Sequence, residues 1–145
     1  MKHVKDFEDY LKQGIAKKQF PDIARAKALV EESAEAYDVL NAYIKNAEIS
    51  DKNANHIIKN AYDIIMELIR AEMLSGGFSS SGQGAHEAEV AYMRRIGFNE
   101  NEVEFADKIR YFRNGILYYG KKMNLEYAEK VVAFLQKIRE KLKND

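Results

Sequence analysis

The densest run of side chains able to do chemistry lies at residues 108 to 122, KIRYFRNGILYYGKK. It carries the cations Lys108, Arg110, Arg113, Lys121 and Lys122, interleaves Tyr111, Phe112, Tyr118 and Tyr119 among them, and contains no acid. An arginine fork binds phosphate bidentately, and a neighbouring tyrosine ring stacks a base or donates a hydrogen bond. Arg110, Arg113, Asn114, Tyr118, Tyr119, Lys121 and Lys122 therefore form a candidate nucleotide or RNA site. The competing reading of the same residues is structural: Arg113 snorkels along core carbons to solvent while the tyrosines pack.

The remaining candidates for proton transfer are His3, His56 and His86. His86 follows the segment GQGA at the expected start of a helix, whose free amides could hold an anion, and it is the secondary candidate. The segment HEAEV at 86 to 90 begins like a zinc protease motif but lacks the second histidine four residues after the first. None of the histidines has a glutamate three positions before it, so a di-metal helix-bundle site is not expected either. With no cysteine in the chain, thiolate ligands and disulfides are excluded. Neither a metal nor a cofactor is expected.

The elements that must position these residues read as helices. A single proline, only 8 glycines and an abundance of alanine, glutamate, lysine and leucine or isoleucine favour helix and leave little sequence for strands. An amphipathic segment at about 3 to 19, with Val4, Phe7, Tyr10, Leu11 and Ile15, predicts a short docking helix that ends before Pro21. From Pro21 the positions Ile23, Ala26, Val30, Ser33, Tyr37, Leu40 and Ile44 step by three and four along one stripe.

A third helix, capped by Ser50 or Asp51, carries the wider stripe Ile57, Ile58, Ala61, Ile64, Ile65, Leu68 and Ile69 and is expected at the centre. GGFSSSGQGA at 76 to 85 has the composition of a flexible loop. A short helix at about 86 to 96 follows, and Asn99 with Glu102 supplies a cap for a fifth helix whose core stripe is Phe105, Ile109, Phe112, Ile116 and Tyr119. On that wheel Arg110, Asn114 and Tyr118 face away and Arg113 lies on the shoulder. Asn124 begins a last helix with Leu125, Ala128, Val132, Leu135 and Ile138 inward and a basic end. The expectation is a single all-α domain over 1–145, an antiparallel, up-down four- to five-helix bundle with an additional short helix.

Charge and hydropathy limit the setting. The chain has 23 basic and 23 acidic residues, so it exerts no long-range pull on nucleic acid and any polyanion site must be local. The opening MKHVKDFEDYLKQ is charged throughout and has no signal-peptide core, and no run reaches the roughly 18 apolar residues of a membrane span. A cytoplasmic protein without a membrane partner is expected.

The segment RNGILYYG resembles the signature of the HEPN family, in which Arg, usually followed by Asn, precedes a His by four to six residues near a helix end. The wider pattern is similar to small archaeal HEPN-like proteins over about residues 21 to 142: an alanine-rich second helix, a long third one, a short helix at HEAEVAYMRRIGF and then EVEFADKIRYFRNGILYYGK. The resemblance implies a four- or five-helix bundle, a homodimer with two signature helices brought together, and work beside a small nucleotidyltransferase in a toxin–antitoxin pair. Active members are metal-independent ribonucleases, with the His as general acid or base and the Arg on phosphate. Here Tyr118 stands in the His position. A phenol with a reference pKa of about 10 is ionised only about one part in a thousand at neutral pH, so Arg113 and Tyr118 form a catalytic pair only if that value is strongly depressed. The expectation is a nucleotide- or RNA-binding module whose nuclease activity is weak or lost. The alternative is a non-catalytic helical module for protein–protein interaction.

Overall fold

A computed structural model describes residues 3–143, with the side chains of Leu117, Tyr118 and Tyr119 outside the described set. The fold is an all-α helical bundle, 73% helical. Its six α-helices among the described residues are α1 (Phe7–Lys12), α2 (Ile23–Ala47), α3 (Ala54–Ser75), α4 (Ala85–Tyr92), α5 (Glu100–Tyr119) and α6 (Leu125–Lys143). Two three-residue strands, β1 (Ala16–Lys18) and β2 (Phe78–Ser80), complete it. None of these helices is long and apolar enough to cross a membrane. Two compact units divide the chain, the first comprising 1–31 and 66–108, the second 32–65 and 109–145.

In the first unit, two parts of the sequence expectation are corrected. The segment at 3 to 19 is not one helix: α1 stops at Lys12, Gly14 takes a left-handed φ of +76°, and the chain turns into β1. The glycine- and serine-rich stretch is likewise more than a flexible loop, because β2 within it pairs antiparallel with β1 in the register Ala16↔Ser80, Lys17↔Ser79 and Lys18↔Phe78. What holds the ribbon is an aromatic cluster. The Phe7 ring meets Phe78 at 5.3 Å and Tyr92 at 5.0 Å, both edge-on, an arrangement favoured by the ring quadrupoles. The Arg95 guanidinium covers both phenylalanines at 4.9 and 5.2 Å and also donates to Glu8 Oε1 at 2.6 Å. Gly77 has φ +87°, and a Cβ there would stand 3.0 Å from the Gln19 carbonyl, so glycine is required on both conformational and steric grounds.

Helix α2 starts where Asp22 caps it, its carboxylate accepting from Arg25 N at 3.1 Å. Ala26 and Leu29 of α2 pack on Ala71 and Leu74 of α3. The predicted α2 stripe is only partly inward. Ala26, Ser33 and Leu40 are buried, whereas Ile23 and Val30 are 60% and 46% exposed. The α5 capping box forms as expected, with Asn99 N donating to Glu102 Oε1 at 2.8 Å and Glu102 N to Asn99 Oδ1 at 2.9 Å.

In the second unit, Ile57, Ile58, Ala61, Ile64 and Ile65 of α3 are buried as the stripe requires. The cap assignment there changes. Asp51 accepts from Leu125 N at 2.8 Å and so caps α6, not α3, while Asn53 receives Ser50 N at 2.8 Å and closes the turn before α3. Asn124 caps α6 as expected, its Oδ1 accepting from Tyr127 N at 2.8 Å. The inward row of α6 runs through Ala128, Val131, Phe134, Leu135 and Ile138, with Val131 and not Val132 fully buried.

Candidate functional site

The candidate residues that gather in the second unit do so at the end of α5 and the turn after it. Gly120, at φ +64°, terminates the helix, and Lys121 N returns to Gly115 O at 3.2 Å. This is a left-handed helix stop of the kind glycine permits. The turn is then clamped by one side chain from α3. Asn55 donates from Nδ2 to Lys121 O at 2.9 Å and accepts from Met123 N at 2.7 Å. Three backbone groups of the turn are thus paired, and Lys121 and Lys122 project from a fixed segment.

Beside that turn opens a shallow cleft of about 550 Å³, lined by Asp51, Phe112, Lys121, Lys122, Met123 and Asn124. The Lys121 ammonium sits 4.7 Å from the Phe112 ring centroid, a cation–π contact that holds the charge at the rim. Phe112 is itself braced edge-on by Tyr127 at 5.1 Å. Burial pushes the Tyr127 phenol up to about 12, so that ring enters neutral. The cleft therefore offers two cations, an aromatic ring and a carboxamide, together with one carboxylate, that of Asp51, which accepts from Leu125 N.

Arg113, the centre of the sequence argument, does not present a free fork. Its Nη2 lies 3.2 Å from Asp63 Oδ1 and 3.3 Å from Oδ2, and its Nε is buried with no hydrogen-bond partner among the described residues. An orphaned buried donor is costly, so the present arrangement leaves Arg113 only partly satisfied. Asp63, its partner in that pair, is 55% exposed. Asn114 and Arg110 are half-buried and Lys122 is exposed. Tyr118 and Tyr119 belong to α5 by backbone, and their side chains lie outside the described residues.

His86 is in the first unit, near a pair that sequence reasoning missed. Its Nδ1 is 3.3 Å from Glu89 Oε1, and Glu89, 3% exposed, receives Arg70 Nε at 2.6 Å and Nη2 at 3.1 Å. The available signal was an acid inside the apolar run AEVAY of α4 and a cation directly after the apolar stripe of α3. Among the described residues no group of acids and histidines could hold a metal ion. Comparison with protein families, curated proteins and solved structures finds no match to this chain.

Proposed function

We propose that the end of α5 and the turn after it bind the phosphates of RNA or a nucleotide, as a HEPN-like module whose nuclease activity is weak or lost. The observation that carries the reading is the cleft at Phe112, with Lys121 and Lys122 on its wall, directly after the segment RNGILYYG. Lys121 and Lys122 meet phosphate at the rim, Arg113 joins by exchanging Asp63 for a phosphate oxygen, and Phe112 offers apolar contact to a base or sugar. Arg110 extends the same basic run one turn earlier. Binding without efficient cleavage follows from Tyr118, whose phenol is a poor proton carrier near neutrality. In the reading's fuller form the module works beside a small nucleotidyltransferase in a toxin–antitoxin pair.

Fluorescence anisotropy with a short single-stranded RNA tests it. Four phosphate contacts, at about 0.7 each for a single strand, give a slope of about −3 in log affinity against log salt. Arg113→Ala and the pair Lys121→Ala/Lys122→Ala should each flatten that slope by about one contact per cation removed. Asp63→Asn should tighten binding about 1.4- to fivefold, because it removes a partly exposed ion pair of about 0.2–1 kcal/mol that the RNA must otherwise displace. Affinity that ignores salt and all three variants would remove the site.

A further inference from the structure

Away from this cleft, one aromatic residue is held in solvent by a rigid part of the fold. Phe20 is 93% exposed. Its loop is nevertheless fixed on both sides: Gln19 N donates to Gly77 O at 2.8 Å and Asp22 N to Leu74 O at 2.9 Å. Pro21 further restricts the backbone of Phe20 itself. The ring is thus presented, and the ordering entropy an interface usually costs is already spent in folding. Ile23, 60% exposed, stands one residue past Asp22. Lys17 and Lys18 before the pair in sequence, and Arg25 and Lys27 after it, are exposed. This stretch joins an aromatic knob to four exposed cations, with the half-buried Asp22 among them.

The chain also carries a surface of the opposite character. On the part of α2 in the second unit, Glu32, Glu35 and Val39 follow the three- and four-residue spacing of one helix face, with Asp38 at its edge. The three acids are exposed and Val39 is 70% exposed. Val39, with exposed carboxylates on the turns of α2 that precede it, complements Phe20, which has exposed cations close to it in sequence. With 23 charges of each sign, two copies carry no net repulsion that would keep them apart.

We propose that the Phe20 knob of one copy docks on the Val39 face of α2 in a second copy. The two surfaces differ, so the contact is head-to-tail and builds a ring or a short chain. Opposite charges steer and orient the encounter, and the aromatic anchor supplies most of the affinity. A bilayer fits the knob less well, because Asp22 lies between Phe20 and Ile23 and would have to be desolvated among anionic headgroups. The contact uses neither α5 nor the Phe112 cleft and stands independently of the RNA-binding reading.

Sedimentation of the intact chain over a concentration series tests the proposal. The expected result is a mass that rises above the 16.7 kDa monomer with concentration and falls back in about 0.5 M salt, where screening reaches only about 3–5 Å. Phe20→Ala should weaken association about thirtyfold, the scale of an aromatic hot spot. The decisive arm is a charge swap. Lys17→Glu/Lys18→Glu and Glu32→Lys/Glu35→Lys should each be monomeric alone and associate again when mixed, with circular dichroism confirming that both are folded. Four results would overturn the proposal: a monomer at every concentration, association untouched by Phe20→Ala, association abolished by Tyr111→Ala on α5, or a monomer whose Phe20 binds polyglutamate or phosphatidylserine vesicles instead.

Discussion

Arg70→Met should destabilise the protein by about 3 kcal/mol, at the lower end of the cost of leaving a buried charge without its partner. Glu89 is 3% exposed and takes both bonds from the Arg70 fork, at 2.6 and 3.1 Å. Arg70 is 31% exposed, so part of its charge is already solvated, which places the loss at the lower end. Methionine keeps the aliphatic reach of the side chain and removes only the charge and donors. His86 does not compensate, since its Nδ1 approaches Glu89 at 3.3 Å from a ring that is 59% exposed. The double variant Arg70→Met/Glu89→Met should recover most of the loss, because replacing both members of a buried pair with apolar groups is close to neutral. Urea denaturation of the two variants decides it. Equal stability of Arg70→Met and the parent would show that water reaches Glu89, and a double variant no better than the single would assign the loss to packing.

That pair also shows where the sequence stops being legible. The helices could be read because their information is local. The α3 stripe is wide enough that Ile57 through Ile69 could face only inward, and the Asn99–Glu102 capping box closes within a single turn. Elements formed by distant partners could not be read in this way. Ala16–Lys18 has no strand-like alternation, and its strand partner is Phe78–Ser80, some sixty residues later, whose Phe78 ring packs against Phe7 and Tyr92. The composition of GGFSSSG indicates turns, and it does contain them, but the one aromatic residue in the segment decides its path.

The same division runs through the candidate site. The basic run and its place at the end of α5 were visible as sequence, and so was the helix stop after it. The partner of Arg113 was not, because Asp63 sits on the outward side of α3, where an acid is ordinarily a solvated residue and nothing marks it as reaching Arg113, fifty positions later. Asn55 is similar. Its exposure and polarity are unremarkable at the start of a helix, yet it holds both ends of the Lys121–Met123 turn. Side chains that organise a site from another helix leave no periodic trace.

Tyr118→His should convert a weak or inert binder into a metal-independent ribonuclease, with a gain of about a hundredfold or more in cleavage, the lower range for a positioned general acid or base. An imidazole titrates near neutrality where a phenol does not, and position 118 is five residues beyond Arg113, within the spacing of the family that RNGILYYG resembles. The substitution leaves Arg113 in place, but Arg113 is held by Asp63 at 3.2 Å, so its phosphate role must compete with an internal carboxylate. Asp63→Asn added to Tyr118→His should therefore raise cleavage further, chiefly at low RNA concentration, because it improves binding more than the chemical step. Arg113→Ala in the same background should return cleavage to the parent level. All reactions are run in EDTA and followed by the appearance of cleaved RNA on a gel. A folded Tyr118→His variant that binds RNA yet stays inert would sink the lost-nuclease reading while leaving the binding site intact. A parent that already cleaves and loses activity as Tyr118→Phe would reverse it, making the phenol itself the proton carrier.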